Sequence, residues 1–508
     1  MKTTLRSTLT VLVGVSLLMA CSENPVTGKR ELHLVSQVQE VQIGEENYAP
    51  SQQSQGGVYN VDPGLSRYVN EVGQKLAKVS DRPDLPYEFV VLNNSIPNAW
   101  ALPGGKIAVN RGLLYHLESE AELAAVLGHE IVHAAARHGA KSMERGILMQ
   151  VGVAAIGVAA ANNEYSNLIV GGAALGSQLI STKYGRDAEL ESDNYGMEYM
   201  VRAGYDPDAA IKLQETFVKL SEGKEANWLE GLFASHPPSR ERVEANRVTA
   251  AKLKRPGLTM GVENYRKQLK TVLASKPAYD KYTQGQTALQ KKDYRKASAL
   301  AEEAIDLERR EGLFYELLGD SELQQNKFKE AHAQYTQALQ RNPDYFSFYL
   351  KRGLANQRLG DNAAAQTDYQ NSIKRLPTAL AHYQLGVIAE GRGEKAKAIE
   401  HYAVVAQTQS DLGKQAATGL VRLDLADHPE KYVAIGSGFD NSGKFIVQLK
   451  NKTPVDITGI VVEVVTDRAY RISFDSPLPA GKAAQFAPQV SVGAAGAKVR
   501  VVSATPAK

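Results

Sequence analysis

Two histidines and a glutamate with the spacing HExxH, namely His129, Glu130 and His133, are the residues of this 508-residue chain best suited to chemistry. On a helix, residues four apart share one face, so both imidazoles can bind one metal ion. Glu130 is rotated by about 100° around the axis, so its carboxylate can contact a water on that ion without becoming a ligand. Two imidazoles and one carboxylate suit zinc, which lowers the pKa of such a water to about 7. Because the glutamate can take the water's proton, the pattern predicts hydrolysis of a peptide bond.

The stretch around this motif predicts the helix that the spacing requires. Ser119 followed by Glu122 is a capping box, and the run after it is rich in Ala, Leu and Val up to about His138, with Gly139 as a stop. The alternative is a chance match of HExxH in an ordinary helix. We favour the metal site, because a buried helix has little use for two histidines and a glutamate that nothing satisfies.

A second acidic motif predicts the rest of the ligand set. Residues 184–193 begin another helix, which is predicted to end near Gly204. Glu189 and Asp193 lie four apart on it and share a face, whereas Glu191 points elsewhere. One carboxylate as third zinc ligand and the other as partner of a ligand histidine is the arrangement that such sites need. The alternative is a solvated acidic helix face.

The segment before the HExxH motif predicts the strands that support it. Residues 63–77 have helical periodicity, residues 86–92 are β-branched and aromatic like a strand, and residues 98–114 predict a hairpin that turns at 103–105. In zinc peptidases an edge strand beside the metal commonly holds the substrate as an additional strand. Our prediction for that strand is Ile107, Ala108, Val109 and Asn110. The alternative is a core hairpin without substrate contact.

The start of the chain predicts a signal peptide in residues 1–20. Lys2 and Arg6 form a short basic region, and the apolar run that follows is shorter than the roughly 20 residues needed to span a bilayer. The run ends at Cys21, the only cysteine, in a sequence that resembles a bacterial lipoprotein cleavage box. This implies that a lipid is attached to Cys21. Because Ser22 and not aspartate follows, the usual lipoprotein sorting rule favours the outer membrane over the inner one, and the protein would face the periplasm. The alternative is an ordinary signal peptide with a stray cysteine.

An apolar stretch rich in glycine and alanine, residues 146–180, follows the HExxH helix. Each half of it is too short to span a membrane, so we predict two close-packed helices that cover the peptidase core. Contact with the membrane or with an unfolded client is the alternative.

Together these motifs resemble the gluzincin peptidases of the Oma, HtpX and CAAX-prenyl-protease type. They are most similar to the periplasmic branch of barrel-assembly-enhancing proteases, whose peptidase domain precedes tetratricopeptide repeats. The motifs that carry the resemblance are Asn98-Ala99 through Pro103-Gly104-Gly105, HExxH at 129–133, ExxxD at 189–193, and His236-Pro237 with Arg242. The resemblance implies an α+β zincin-like metallopeptidase domain that binds one zinc ion. The chain departs from the family at Gly185, where serine is frequent, and in its lipid anchor.

The resemblance also implies a role for each site residue. The implied zinc ligands are His129, His133 and Glu189. Glu130 is the implied general base, and Asp193 would orient a ligand. His236 matches a histidine that either caps the open position of the metal, which keeps the enzyme latent, or assists the oxyanion. Arg242 matches an arginine near the reacting carbonyl.

A repeat of about 34 residues follows the peptidase region. A glycine recurs at Gly285, Gly319, Gly353 and Gly386, and an alanine lies twelve residues after each, at Ala297, Ala331, Ala365 and Ala398. Because small residues at regular positions let two helices pack closely, we predict four tetratricopeptide repeats stacked as an α-solenoid. The concave groove of such a solenoid binds a peptide or a partner protein. The alternative is a structural spacer.

After residues 427–429, helical patterning gives way to alternation. The predicted short strands are 444–449, 457–465, 470–474, 483–486 and 498–502, which favour a small β-sandwich. The predicted divisions of the chain are a signal peptide (1–20), an N-terminal tether with a helix over Ser36 to Asn47 (21–59), the peptidase domain (60–255), a linker (256–276), the repeats (277–430) and the sandwich (431–508). The fold class is therefore multidomain and mainly α.

The formal net charge of +3 is small for this length and no basic stripe is present, so nothing supports nucleic-acid binding. We expect a zinc metalloendopeptidase of the bacterial envelope that degrades misfolded or misassembled periplasmic and outer-membrane proteins. The repeats are expected to recruit these substrates and to contact the outer-membrane assembly machinery, and the lipid anchor to contact the membrane. The alternative is an assembly factor or chaperone that acts through its repeats while the metal site is latent.

Overall fold

The computed structural model describes residues 21–152, 178–181, 183–222, 235–490, 492 and 497–507. The chain divides into two compact units, of which the first reaches Leu359 and the second begins at Gly360. The predicted signal peptide and most of the apolar stretch 146–180 lie outside the described residues. Within the described ranges, no helix is both long and apolar enough to cross a membrane.

The first unit begins with a short hairpin in the segment predicted as a tether. Its strands are β1 (Cys21–Glu23) and β2 (Arg30–Leu32), which pair antiparallel. Asn24 donates from Nδ2 to the carbonyl oxygen of Ala136, 2.9 Å away. The segment is therefore attached to the end of the HExxH helix.

Two helices precede the sheet of the first unit. Helix α1 (Gln37–Ser54) begins one residue after the predicted start, because Ser36 is its N-cap, and continues beyond the predicted end at Asn47. Helix α2 (Pro63–Ala77) has the predicted bounds, because Asp62 caps it and proline is tolerated in the first turn of a helix.

Three strands form the sheet beside the HExxH helix. They are β3 (Glu88–Leu92), β4 (Ala99–Leu102) and β5 (Lys106–Asn110), in the order β3-β5-β4. β5 runs parallel to β3 and antiparallel to β4, which confirms the predicted hairpin. The prediction that Ile107, Ala108, Val109 and Asn110 form an edge strand is wrong. β5 is hydrogen-bonded on both sides, so its backbone has no free edge to offer a substrate.

The HExxH helix follows the sheet after one helical turn. That turn is α3 (Arg111–Leu114), and the HExxH helix is α4 (Glu120–Ala135). Ser119 Oγ accepts the backbone N–H of Glu122, which confirms the predicted cap. The second bond of the predicted capping box differs, because Glu122 Oε2 accepts from the backbone N–H of Glu118 and not from that of Ser119. Every residue of α4 after the first is buried, so the motif lies in the interior of the unit.

The end of α4 differs from the prediction of a helix reaching His138. The helix ends at Ala135, because Arg137 adopts a left-handed φ of 62°. A new helix, α5 (His138–Gly152), begins at the next residue. Gly139, the predicted stop, lies inside α5.

The acidic motif lies on a helix that packs directly against α4. Helices α6 (Arg186–Arg202) and α7 (Asp208–Glu222) pack against α4, and α8 (Arg240–Leu253) packs against both of them. The predicted extent of α6 is confirmed. A Cβ added to Gly196 of α6 would lie 3.0 Å from the backbone nitrogen of His129, so glycine at this position lets the two helices approach closely.

The repeats begin within the segment predicted as a linker. That segment contains α9 (Val262–Gln268) and the start of α10 (Lys270–Gln290). The repeat helices that follow in the first unit are α11 (Tyr294–Leu307), α12 (Gly312–Gln324), α13 (Phe328–Arg341) and α14 (Phe346–Arg358). A Cβ on Gly319 would lie 2.8 Å from the ring of Tyr335, which confirms that the recurring glycine permits close helix packing.

The second unit contains further repeat helices. They are α15 (Asn362–Arg375), α16 (Ala379–Gly391), α17 (Lys395–Val405) and α18 (Asp411–Asp424). The short helix α19 (Pro429–Tyr432) follows them and packs against the strands at the end of the unit. Gly386 lies against Tyr402 as Gly319 lies against Tyr335. The same pair of residue types therefore holds both repeats together.

Two antiparallel sheets end the second unit. Their strands are β6 (Val433–Phe439), β7 (Phe445–Asn451), β8 (Ile457–Val465), β9 (Ala469–Phe474), β10 (Ala483–Phe486) and β11 (Lys498–Pro506). The sheet orders are β10-β7-β6 and β11-β8-β9. One hydrophobic core contains buried residues of both sheets, among them Val447 and Val462, which confirms the predicted sandwich. The sequence did not predict β6.

Candidate metal centre

Side chains from α4 and α6 converge on one point. His129 Nε2 lies 3.0 Å from His133 Nε2 and 3.5 Å from Glu189 Oε2. His133 Nε2 lies 3.4 Å from Glu189 Oε1. With His236, these residues form a group whose ligand atoms lie within 4.8 Å of one another. The structure thus brings together the three residues predicted as zinc ligands.

The chemistry of this group fits a metal ion. Two ligands about 2.0–2.1 Å from a tetrahedral ion are about 3.3–3.4 Å apart, which is close to the spacings of the histidine and carboxylate atoms. All four residues are buried. Among the residues that the structure describes, Glu189 Oε2 accepts no hydrogen bond. The donor set, buried imidazoles with one buried carboxylate, is one that suits zinc.

Two of the ligand residues are held by further charged side chains. Asp193 Oδ1 accepts from His129 Nδ1 at 2.8 Å, which leaves Nε2 of that ring facing the ligand group. Arg242 donates from Nε and Nη2 to the two oxygens of Asp193, both at 2.7 Å. Arg242 Nη1 also makes an ion-pair contact of 2.9 Å with Glu189 Oε2. The guanidinium therefore holds the two carboxylates of α6 in place.

His236 bridges the ligand group and the predicted general base. Its Nδ1 lies 3.1 Å from Glu189 Oε1 and 3.3 Å from His129 Nε2. Its Nε2 lies 3.6 Å from Glu130 Oε1. Because the loop before α8 carries His236, Ser239 caps α8 and Arg242 lies in the first turn, a single segment brings both predicted residues to the site.

Burial and charge set the protonation of the site. Burial raises the pKa of Glu130 above its ordinary value, which makes its carboxylate a stronger base. Burial lowers the pKa of His133 well below its usual range, so this ring is neutral and can bind a metal. Burial acts to lower the pKa of His129 too, but the carboxylates of Glu189 and Asp193 outweigh it and raise that pKa to about 10. The site thus attracts a positive charge.

Sequence reasoning missed two residues that contact His133. The ring of Tyr184 stacks on it with centroids 4.0 Å apart. His138 Nδ1 lies 2.9 Å from His133 Nδ1. Tyr184 could have been found from its place in the same motif as Glu189. His138 could not, because the contact depends on the left-handed turn at Arg137.

A cavity of about 40 Å³ lies beside Glu130. Its apolar lining consists mainly of Val126, Met197, Met200, Leu213 and Phe217. Ala99 of β4 also lines it, whereas the predicted substrate strand is the central strand of the sheet. The edge strand on the cavity side is therefore β4, since no strand of the described ranges pairs with its outer side.

The fold and the site define a metallopeptidase, and comparisons with known proteins specify the family. The model of Peptidase family M48 matches residues 63–250, and two tetratricopeptide repeat models match residues 319–360 and 350–412. Metalloprotease YcaL of Escherichia coli is 30% identical over 184 residues, which cover 34% of this chain and 68% of that protein. The chain belongs to peptidase family M48.

Longer relatives match over a smaller part of their length. The beta-barrel assembly-enhancing protease of Escherichia coli K12 is 27% identical over 232 residues, 45% of this chain and 47% of that protein. The mitochondrial metalloendopeptidase OMA1 of Schizosaccharomyces pombe is 35% identical over 179 residues, 35% of this chain and 50% of that protein. The matched region spans less than half the length of the beta-barrel assembly-enhancing proteases that the chain resembles.

Solved structures of repeat proteins align only loosely. The crystal structures of MamA and YrrB are 21% and 17% identical, with TM-scores of 0.24 and 0.26. The alignment with MamA covers 28% of this chain and 84% of MamA, and the alignment with YrrB covers 29% of this chain and 76% of YrrB. Scores this low carry no argument about the fold.

Proposed function

We propose that the chain is a zinc-dependent endopeptidase of the bacterial cell envelope. The observation that carries the proposal is the convergence of His129, His133 and Glu189 beside a buried glutamate, Glu130. In this proposal the two histidines and Glu189 hold one zinc ion. Zinc, when bound, supplies a Lewis acid for a peptide carbonyl and for a water molecule.

The chain's own residues supply the proton transfers. Glu130 takes the proton of the attacking water, because burial raises the pKa of its carboxyl and makes it a stronger base. It then passes that proton to the leaving amine. Asp193 keeps the proton of His129 on Nδ1, so that Nε2 stays available as a ligand atom. The contacts of Arg242 with both carboxylates of α6 support a role in holding the ligands.

Substrate binding in this proposal uses β4 instead of β5. An extended peptide that pairs with an edge strand gains main-chain hydrogen bonds and places alternate side chains in pockets. The cavity beside Glu130 is lined by Ala99 of β4 and by apolar side chains of α4, α6 and α7, which supports an apolar substrate residue there. The burial of Glu130, 2% exposed, favours an enzyme that excludes bulk water from the reacting bond.

The envelope location and the substrates rest on sequence and on relatives. A lipid on Cys21 would anchor the chain to a membrane on its periplasmic side, and Ser22 after it favours the outer membrane over the inner one. Relatives named as beta-barrel assembly-enhancing proteases support misfolded or misassembled periplasmic and outer-membrane proteins as substrates. The repeats support recruitment of these proteins and contact with the outer-membrane assembly machinery.

The test is Glu130→Gln, which removes the base and keeps the shape. We expect casein cleavage to fall by about 10²–10⁴-fold, because a general base contributes a factor of that size. Zinc content by elemental analysis should stay at one ion per chain. Glu122→Gln is the matched control, since this glutamate is buried on the same helix but faces the N-terminal cap. Equal cleavage by Glu130→Gln and wild type would overturn the proposal.

A second candidate is an assembly factor or chaperone that acts through its repeats with a latent metal site. The position of His236 favours it, because Nδ1 lies within 3.3 Å of both Glu189 and His129, where it can cap the position that water needs. This placement supports the capping role of His236 over the oxyanion role. Complementation of a deletion strain by Glu130→Gln, but not by a chain without residues 277–430, would support this candidate. Failure of Glu130→Gln to complement would support the peptidase.

A further inference from the structure

Within the described ranges, the ligand His133 has no charged partner of the kind that holds the other two ligands. His129 has Asp193, and Glu189 has Arg242. The atom opposite the ligand group on the His133 ring, Nδ1, instead faces a third histidine. We infer that His138 is the positioning residue for His133, and this inference rests on the metal site of the proposed function.

The geometry defines which ring donates. His133 Nδ1 and His138 Nδ1 lie 2.9 Å apart, and both residues are buried. His133 needs the lone pair of Nε2 for the metal, so its proton is on Nδ1 and it donates. His138 therefore accepts at Nδ1 and carries its own proton on Nε2. That atom lies 3.5 Å from Glu191 Oε2.

The contact continues to the N-terminal segment. Glu191 Oε1 accepts from Lys29 Nζ at 2.7 Å. Lys29 lies between the strands of the first hairpin, whose Asn24 also contacts the carbonyl of Ala136 at the end of α4. Two side chains, His138 and Glu191, thus lie between the ring of His133 and the segment that follows Cys21, and the contact between these two is an ion pair without a hydrogen bond. Glu191 does not share the helix face of Glu189 and Asp193, but it contacts the site through His138.

The backbone break after α4 makes the contact possible. On an uninterrupted helix, residues five apart point about 140° away from each other, so His133 and His138 would not meet. The left-handed φ of 62° at Arg137 turns the chain back. A non-glycine residue rarely adopts this conformation, and here the guanidinium of Arg137 is held by Glu40, by the carbonyl of Val35 and by Glu144. These contacts hold the turn that delivers His138 to His133.

The test compares two replacements of His138, of which one keeps a hydrogen-bond acceptor at the position of Nδ1 and the other does not. Asparagine places its Oδ1 where Nδ1 of histidine lies, whereas leucine fills similar space without an acceptor. We expect His138→Leu to bind zinc about 10–100-fold more weakly, because that is the effect of losing the partner of a ligand histidine. His138→Asn should bind zinc nearly as wild type does. Affinity is measured by competition with a chromogenic chelator, and the visible spectrum of the cobalt-substituted protein reports the ligand geometry.

Each outcome separates this inference from the proposed function. Wild-type protein that binds no zinc would overturn the proposed function. Wild-type zinc affinity in His138→Leu, or an equal loss in His138→Asn, would overturn the role of His138 alone. Circular dichroism of the zinc-free variants checks the fold. If leucine prevents folding, His138→Gln replaces it, because its amide reaches past the Nδ1 position, and it should bind zinc more weakly than His138→Asn.

Discussion

Replacing Arg242 with leucine should destabilise the zinc-free protein strongly. The arginine makes two contacts of 2.7 Å with Asp193 and one of 2.9 Å with Glu189, and all three side chains are at most 7% exposed. Removing one partner of a buried ion pair costs about 3–5 kcal/mol, because the charge left behind stays buried. In a domain of 150–250 residues each kcal/mol lowers Tm by about 2–4 °C, so we expect a shift of about 6–20 °C.

Calorimetry of the zinc-free protein at neutral pH measures this shift. The metal must be absent, because a cation at the ligand group would offset the lost charge beside Glu189. Although burial acts to raise the pKa of Asp193, Arg242 holds it below its ordinary value. The carboxyl is therefore ionised at neutral pH in the wild type, and its pKa should rise in Arg242→Leu.

The matched control is Arg247→Leu on the same helix. Arg247 pairs with Glu215 and Glu244 at 2.6 Å, but its side chain is 50% exposed. Exposed ion pairs contribute about 0–1 kcal/mol, so the expected shift is below about 4 °C. If Arg242→Leu lowered Tm no more than Arg247→Leu, the buried network would not stabilise the site as we argue.

Two predictions concern the repeats. Burial and the nearby Glu330 raise the pKa of Glu322 from 4.5 to about 7, so the folded state binds this proton more tightly than the unfolded state. The resulting destabilisation is absent below pH ~4.5 and complete above pH ~7. In thermal melts, Glu322→Gln should therefore raise Tm at pH 8 and leave it unchanged at pH 4.5. Equal shifts of Tm at the two pH values would contradict this prediction. Gly386→Ala places a Cβ 2.6 Å from the ring of Tyr402 and should cost about 1–3 kcal/mol in urea unfolding. Gly391→Ala in the same helix meets open space and should stabilise by up to about 1 kcal/mol, and the reverse order of the two would refute the packing argument.

Local periodicity predicted three elements with their observed bounds. The helix at 63–77 and the strands at 457–465 and 483–486 match the structure, because the positions of apolar side chains follow the geometry of the local backbone. The same holds for the spacings HExxH and ExxxD. Residues four apart share a helix face whatever the helix packs against, so these motifs defined two halves of a metal site.

The order of the strands required the tertiary structure. β5 lies at the centre of its sheet because it pairs with β3 and β4 at once. Its residues are all buried, and so are those of the edge strand β4, so burial does not distinguish the central strand from the edge strand. A sequence shows which residues are apolar, but not which strands a given strand will pair with.

The turn at Arg137 was likewise decided by contacts distant in sequence. The sequence by itself determined that His129, Glu130 and His133 share one helix and that Glu189 and Asp193 share another. It did not determine that the first helix ends at Ala135, because Glu40 and the carbonyl of Val35 hold the left-handed residue. Helix faces follow from covalent geometry alone, whereas contacts between helices depend on partners that only the folded chain brings together.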